Sequence, residues 1–293
     1  MFLNPRELGL IMEKNSNHKW ALVTGASTGI GRAIAEYLAA HGFGVYAGAR
    51  REEDLAALGS VTNVAPVKLD VTSVDDVNQT VETIKQAGTG LHALVNNAGI
   101  VRAGPLVDVT DEDMAAIFDV NFLGMHRISR AVFPLLLETK GRYVMNASDS
   151  GFFATPFNGP YCSSKFAMEG YADSLRREML LVGIKVIIIE PGRVNTPIWD
   201  KGQAMLDQYI GSVSVFSELA KKMFTHAIES GKRKGLPPVE VAKVVFSALT
   251  SGKPKTRYLV APRSDQFEYW LVKHMAAARV DKLVLGNMKK YQK

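Results

Sequence analysis

Trp20-Ala-Leu-Val-Thr24-Gly25-Ala26-Ser27-Thr28-Gly29-Ile30-Gly31-Arg32-Ala-Ile-Ala-Glu-Tyr-Leu38 decides the fold. Its first five residues are a short apolar run, as in a buried strand. Gly25, Gly29 and Gly31 then punctuate a turn, and the residues from Arg32 onward repeat their apolar positions at helical spacing. Strand, glycine turn and helix start, in that order, build an anion site. Glycines let the backbone approach a pyrophosphate, and the first N–H groups of the helix are unpaired and partly positive. A turn with three glycines is common by itself, so its meaning comes from the rest of the chain.

Outward from this turn, short apolar runs alternate with longer amphipathic stretches. Strands are expected at 20–24, 45–49, 65–69, 93–96, 142–146, 185–189 and 258–261. Repeated strand–helix–strand connection predicts a doubly wound α/β fold, a seven-stranded parallel sheet with helices on both faces. The run Ile184-Lys-Val-Ile-Ile-Ile189 is nearly all β-branched, which suits a central strand buried on both sides. The expected layout is an N-terminal extension (1–18), one domain (19–262) and a helical extension (263–293). Residues 197–236 interrupt the alternation with one or two helices and no strand. Residues 265–290 read as a single amphipathic helix, which packs on the domain or acts as a substrate lid or membrane-surface contact.

The 293 residues carry a net charge of +6, but the basic residues are dispersed except for Lys289, Lys290 and Lys293 in the tail. No nucleic-acid recognition motif accompanies the charge, so nucleic acid is not an expected partner. One cysteine, Cys162, excludes an internal disulfide framework and a cysteine-rich zinc site. The six histidines are scattered without ligand spacing, so no metal is expected. The first 20 residues do not read as a signal peptide, and no run reaches the ~18 apolar residues of a membrane span. A soluble, cytoplasmic protein is the expectation.

The chemistry centres on Pro160-Tyr161-Cys162-Ser163-Ser164-Lys165. Proline favours a helix start, and residues four apart on a helix share a face, so Tyr161 and Lys165 point into one cleft. A neighbouring ammonium and a positive ring would lower the tyrosine pKa toward neutrality and make it an acid/base. Ser148 lies thirteen residues earlier, just past an expected strand. Asn97-Ala98-Gly99, Asn121 and Pro191-Gly192-Arg193-Val194-Asn195-Thr196 fall in other segments that converge at the carboxyl ends of the strands, where open parallel sheets bind ligands.

Together these residues resemble the short-chain dehydrogenase/reductase family over roughly 19–262, a single-domain Rossmann fold. The resemblance implies that Tyr161 exchanges a proton with the substrate oxygen and that Lys165 binds the nicotinamide ribose. It further implies that Ser148 hydrogen-bonds the carbonyl and that Asn121 helps hold a water linking Lys165 to solvent. Cofactor contacts are implied for Gly25, Ser27, Thr28, Gly29, Ile30, Gly31, Asp70, Val71, Asn97, Ala98, Gly99, Pro191, Gly192, Val194 and Thr196. Subunits of the family pair through the Tyr161 helix and the one near 121–138, so a homodimer or homotetramer is implied too.

The expected cofactor is NADP(H) rather than NAD(H). NAD-selective sites place an acid at the end of the second strand, whereas here Ala49 is followed by Arg50 and Arg51. Arginine binds a 2′-phosphate well. Thr28 stands where many NADP-binding relatives carry a second basic residue, a departure from that pattern. Otherwise the two arginines are solvated residues at a helix start.

For substrate, GFFATPFNGP (151–160), Trp199, Met205, Leu206, Tyr209, Ile210 and Phe216 suggest an apolar wall for a hydrophobic ketone or secondary alcohol. The stretches 156–165, 176–178 and 191–199 are similar to the retinol and hydroxysteroid dehydrogenase branch. A 3-oxoacyl thioester or small xenobiotic ketone is the enzyme alternative, drawing on Lys201, Lys221, Lys222, Lys232, Arg233 and Lys234. A non-catalytic NADP(H)-sensing protein is the alternative of another class. Ser150 is read as a substrate contact and Asp149 as a turn residue. Cys162, about 100° around the helix from Tyr161, is not read as a nucleophile.

Overall fold

The computed structural model describes residues 18–200 and 215–291. All seven strands pair in parallel, in the order β3-β2-β1-β4-β5-β6-β7. They are β1 (Lys19–Val23), β2 (Phe43–Ala49), β3 (Val64–Lys68), β4 (Ala93–Asn96), β5 (Arg142–Asn146), β6 (Lys185–Pro191) and β7 (Arg257–Val260). The bounds of β4 and β5 are the expected ones, and the ends of the others differ by at most two residues. The order reverses between β1 and β4, which opens a crevice at the carboxyl ends of those strands, the usual ligand site in such sheets.

Each strand sends alternate side chains to opposite faces. Ala21 and Val23 join Val45, Val95, Val144 and Ile187 under α1 (Gly29–Ala40), α2 (Glu52–Gly59) and α9 (Pro238–Thr250). Trp20 and Leu22 join Tyr46, Leu94, Tyr143 and Ile188 on the opposite face. That face is covered by α3 (Val74–Ala87), α5 (Met125–Ala131), α6 (Phe133–Thr139) and α7 (Gly159–Met179). Burial on both faces explains why the strands read as nearly continuous apolar runs. Gly44, the register partner of Trp20, has no side chain because the indole fills its place: a Cβ there would lie 2.3 Å from the ring.

Before α5 come α4 (Asp111–Phe118) and a π-helical turn, Asp119–Gly124. Met168 and Ala172 of α7 are buried against the sheet with Leu175, Met179 and Val182 beside them, so this stripe is core. The insertion contributes α8 (Ser217–Lys234), while Met205, Leu206, Tyr209, Ile210 and Lys201 lie outside the described residues. One expectation changes, that of a single C-terminal helix. The C-terminal segment is two helices, α10 (Arg263–His274) and α11 (Ala277–Tyr291), not one. Met275 breaks it by taking extended backbone, with neither proline nor glycine to mark the place.

Candidate active site

A cavity of about 580 Å³ opens at the crevice. Its floor is the glycine turn. Gly25 and Gly29 have φ near +60°, the left-handed region that favours glycine. A Cβ on Gly31 would lie 2.2 Å from the Gly25 carbonyl oxygen, so that position admits only hydrogen. Thr28 caps α1 without a side-chain hydrogen bond, and the helix has no acid in its first turn. Its leading N–H groups therefore face the cavity as an anion cradle. The turn is held from behind by Thr24, whose hydroxyl accepts from the amides of Asn97 and Ala98, both at 2.9 Å. The Asn97 carboxamide donates to the carbonyls of Thr24 and Gly25. A lock between residues some seventy positions apart gave no local sequence signal.

The opposite wall carries Tyr161 and Lys165. They sit on the first turns of α7 and both line the cavity with Ser148 and Ser150. Ser148 lies beside Tyr161 in this wall, and its hydroxyl donates to Asp149 at 2.8 Å. The Lys165 ammonium lies 5.6 Å from the Tyr161 ring centroid and donates to the Asn146 carbonyl at 2.9 Å. Burial pulls Lys165 down to about 8. Burial also pushes the Tyr161 phenol well above its ordinary value, opposite to the lowering expected from its sequence neighbours. The reason is local. The ammonium turns to a carbonyl rather than to the phenol, and the lowering argument also required a positive ring that only a bound cofactor brings.

Every proposed cofactor contact lines this one cavity, from Gly25 to Thr196. Asn121, expected to act in catalysis, does not line it: it is fully buried in the π-helical turn. Its amide donates to the Ile100 carbonyl and the Ser164 hydroxyl, both at 3.0 Å, and its oxygen accepts from Ile100 N–H. It thus braces the Tyr161 helix against the loop after β4 and does not touch Lys165 directly.

At the far end, Arg50 and Arg51 separate. Arg51 bonds Asp54 at 2.8 and 3.0 Å and pairs with Glu53, so the acids in the first turn of α2 occupy it. Arg50 lines the cavity, largely exposed, 3.5 Å from Asp70. Burial of Asp70 is outweighed by its Thr72 donors and then by Arg50, which together hold its carboxyl below the usual range. The substrate end is bounded by Thr155, Pro156, Asn158, Trp199, Met223, Phe224, Ala227 and Ile228. The α8 residues were not singled out in the sequence, because a helix with many charges hides a short apolar face. Phe152 turns away, packing edge-on against Tyr269. Phe216 packs by Phe157 and is outside the lining. None of the described lysines or arginines of α8 lines the cavity, although His226 does. Cys162 is buried and its thiol is pushed up by burial.

Comparison with known proteins agrees with this geometry. A family model described as short chain dehydrogenase matches residues 19–207. The chain belongs to the short-chain dehydrogenase/reductase family of oxidoreductases. It is 33% identical to the NADPH-dependent 3-dehydrocapnine reductase of Ornithobacterium rhinotracheale, over 93% of this chain and 98% of the relative. It is 34% identical to retinol dehydrogenase 7 of Rattus norvegicus, over 82% of this chain and 80% of that one. A solved short-chain dehydrogenase from Streptomyces avermitilis superposes with a TM-score of 0.75 at 26% identity, covering 94% of this chain and 99% of that one. The cradle fits a nicotinamide dinucleotide: Gly25 and Gly29 take the left-handed backbone the turn needs, and the start of α1, with no acid and no side-chain cap, opens on the cavity.

Proposed function

We propose that this chain is an NADP(H)-dependent oxidoreductase acting between the carbonyl carbon of a hydrophobic ketone and the carbinol carbon of the matching secondary alcohol, steroid- or retinoid-like in character. The observation that carries the proposal is the Ser148–Tyr161–Lys165 set facing the glycine cradle within one cavity. When bound, the cofactor supplies or accepts a hydride at nicotinamide C4. Ser148, turning its hydroxyl from Asp149 to the substrate oxygen, holds that oxygen together with Tyr161, and Tyr161 donates its phenolic proton to it during reduction. Lys165, fixed by Asn146, binds the nicotinamide ribose and lies close enough to stabilise the phenolate that results.

NADP(H) rests on Arg50, the missing acid after β2 and the NADPH dependence in the first relative's name. The apolar contribution of Trp199, Met223, Phe224 and Ile228 supports a hydrophobic substrate. The thioester alternative loses its main support, since no described lysine of α8 reaches the cavity. A homodimer or homotetramer through α7 and the helices near 121–138 belongs to the same proposal, consistent with exposed Leu123 and Phe166. So does a cytoplasmic setting; no described helix is long and apolar enough to cross a membrane.

The test is NADPH consumption across a panel of steroid, retinoid, acyl and small ketones. Turnover of a hydrophobic ketone with NADPH favoured over NADH supports the proposal. Tight NADPH binding with no turnover on any member points instead to a cofactor sensor.

A further inference from the structure

Behind the Ser148 hydroxyl stands a buried acid that the mechanism above does not use. Asp149 begins a short 3-10 turn, Asp149–Gly151. One carboxylate oxygen accepts from the Ser148 hydroxyl at 2.8 Å and from Ser150 N–H at 2.7 Å. The other accepts from the Tyr269 hydroxyl at 2.5 Å, across 120 residues of sequence. Tyr269 is buried on α10, and α10 is fastened to the domain by Asp265 on Arg193 and by Lys273 on Glu190. Among the described residues, no cation is a hydrogen-bond partner of Asp149. The groups facing it are Tyr161 and Cys162 from α7 and Tyr269 from α10, with Arg193 and Asp265 beside Tyr269.

We propose that Asp149, locked by Tyr269 of the C-terminal helix, is a positioning residue that orients Ser148 and opposes phenolate formation at Tyr161. The hydrogen-bonded chain Tyr269–Asp149–Ser148 ends beside Tyr161, which sets a carboxyl group behind the reacting phenol. A second negative charge beside a carboxylate is disfavoured, so Tyr161 stays protonated over a wider pH range. The site is thereby kept ready to donate a proton, the form needed for carbonyl reduction. The C-terminal helix becomes part of the active site rather than a packing element. Burial raises the Asp149 carboxyl, while Tyr269, Ser148 and Ser150 hold it toward the charged form.

This inference rests on the hydride-transfer reading of the site, and its experiment separates the two. Tyr161 ionisation is followed by near-ultraviolet phenolate absorbance with NADP⁺ present, subtracting the Tyr161→Phe protein. Asp149→Asn is expected to lower the midpoint by about one pH unit. Tyr269→Phe keeps the ring against Phe152 but removes a donor to the carboxylate, which leaves its charge less compensated and raises the midpoint by a smaller amount. Should Asp149→Asn fail to fold, Tyr269→Phe carries the test alone. In alcohol oxidation the acidic limb of the kcat/KM profile moves in parallel. A purely structural role would lower rates at every pH and leave midpoints and limb in place, and that result overturns the proposal. Wild-type protein that turns over no substrate defeats the functional reading, while the absorbance titration still decides the role of Asp149.

Discussion

Replacing Lys165 with methionine is expected to stabilise the protein while abolishing most of its activity. The side chain is 4% exposed, and among the described residues its ammonium has one hydrogen-bond partner, the Asn146 carbonyl. Glu169, one turn along α7, raises its pKa slightly, but that carboxylate is bonded to Arg257 at 3.0 and 3.2 Å. Burial therefore dominates, and the pKa falls from 10.5 to about 8. At ~1.4 kcal/mol per pH unit the buried charge opposes folding by about 3 kcal/mol at neutral pH. Methionine removes that term and leaves the Asn146 carbonyl without its donor, at a cost of about 1 kcal/mol. The net expectation is a gain of about 2 kcal/mol at pH 7.

The sign has a pH signature. A lysine with a lowered folded pKa penalises the native state fully below that pKa, and the penalty fades as pH rises to the unfolded value. The advantage of Lys165→Met should thus be largest at or below about pH 8 and shrink toward about pH 10.5. Tyrosine ionisation acts on both proteins alike and cancels in the difference. Urea unfolding of the cofactor-free proteins across this range reads the effect. A variant less stable than wild type at pH 7, or an advantage that does not shrink with pH, refutes the reasoning.

Arg50→Ala should reduce kcat/KM for NADPH about tenfold to a hundredfold, with little change for NADH, because one charge-assisted contact to the 2′-phosphate is lost; steady-state kinetics with both cofactors checks this. Gly31→Ala forces a Cβ to 2.2 Å from the Gly25 carbonyl and 2.4 Å from the Asn97 amide. The turn must move, so NADPH affinity should fall more than about tenfold and stability by about 1–3 kcal/mol, read by calorimetric titration and thermal unfolding. The raised Tyr161 phenol means that alcohol oxidation, which needs the phenolate, should climb with pH beyond neutrality. Carbonyl reduction, which needs the phenol, should stay level through the same range, and paired pH–rate profiles test both.

Much of this was legible because local rules carry it. Alternation of apolar runs with amphipathic stretches, a glycine turn at the first strand and a four-residue spacing on one helix are all properties of neighbouring residues. What stayed hidden lies between residues far apart. Asp149 reads as a turn residue until Tyr269 arrives from the C-terminal helix, and Asn97 reads as a cofactor contact until its side chain is found bracing Thr24 and Gly25. Arg50 and Arg51 look equivalent as a pair. The acids Glu53 and Asp54, already visible in the sequence, are what remove Arg51. The substrate wall was sought at Phe152 and Phe216, but those rings pack on their neighbours and α8 supplies the lining with Met223 and Phe224.

The central claim is direct hydride transfer with Tyr161 as proton donor. NADPH fully deuterated at nicotinamide C4, incubated with a hydrophobic ketone that the enzyme consumes, tests it most directly. The account predicts one deuterium on the carbinol carbon of the product, and loss of that product in the Tyr161→Phe protein while NADPH binding persists. An unlabelled alcohol, or labelled alcohol formed at an undiminished rate by Tyr161→Phe, would contradict it.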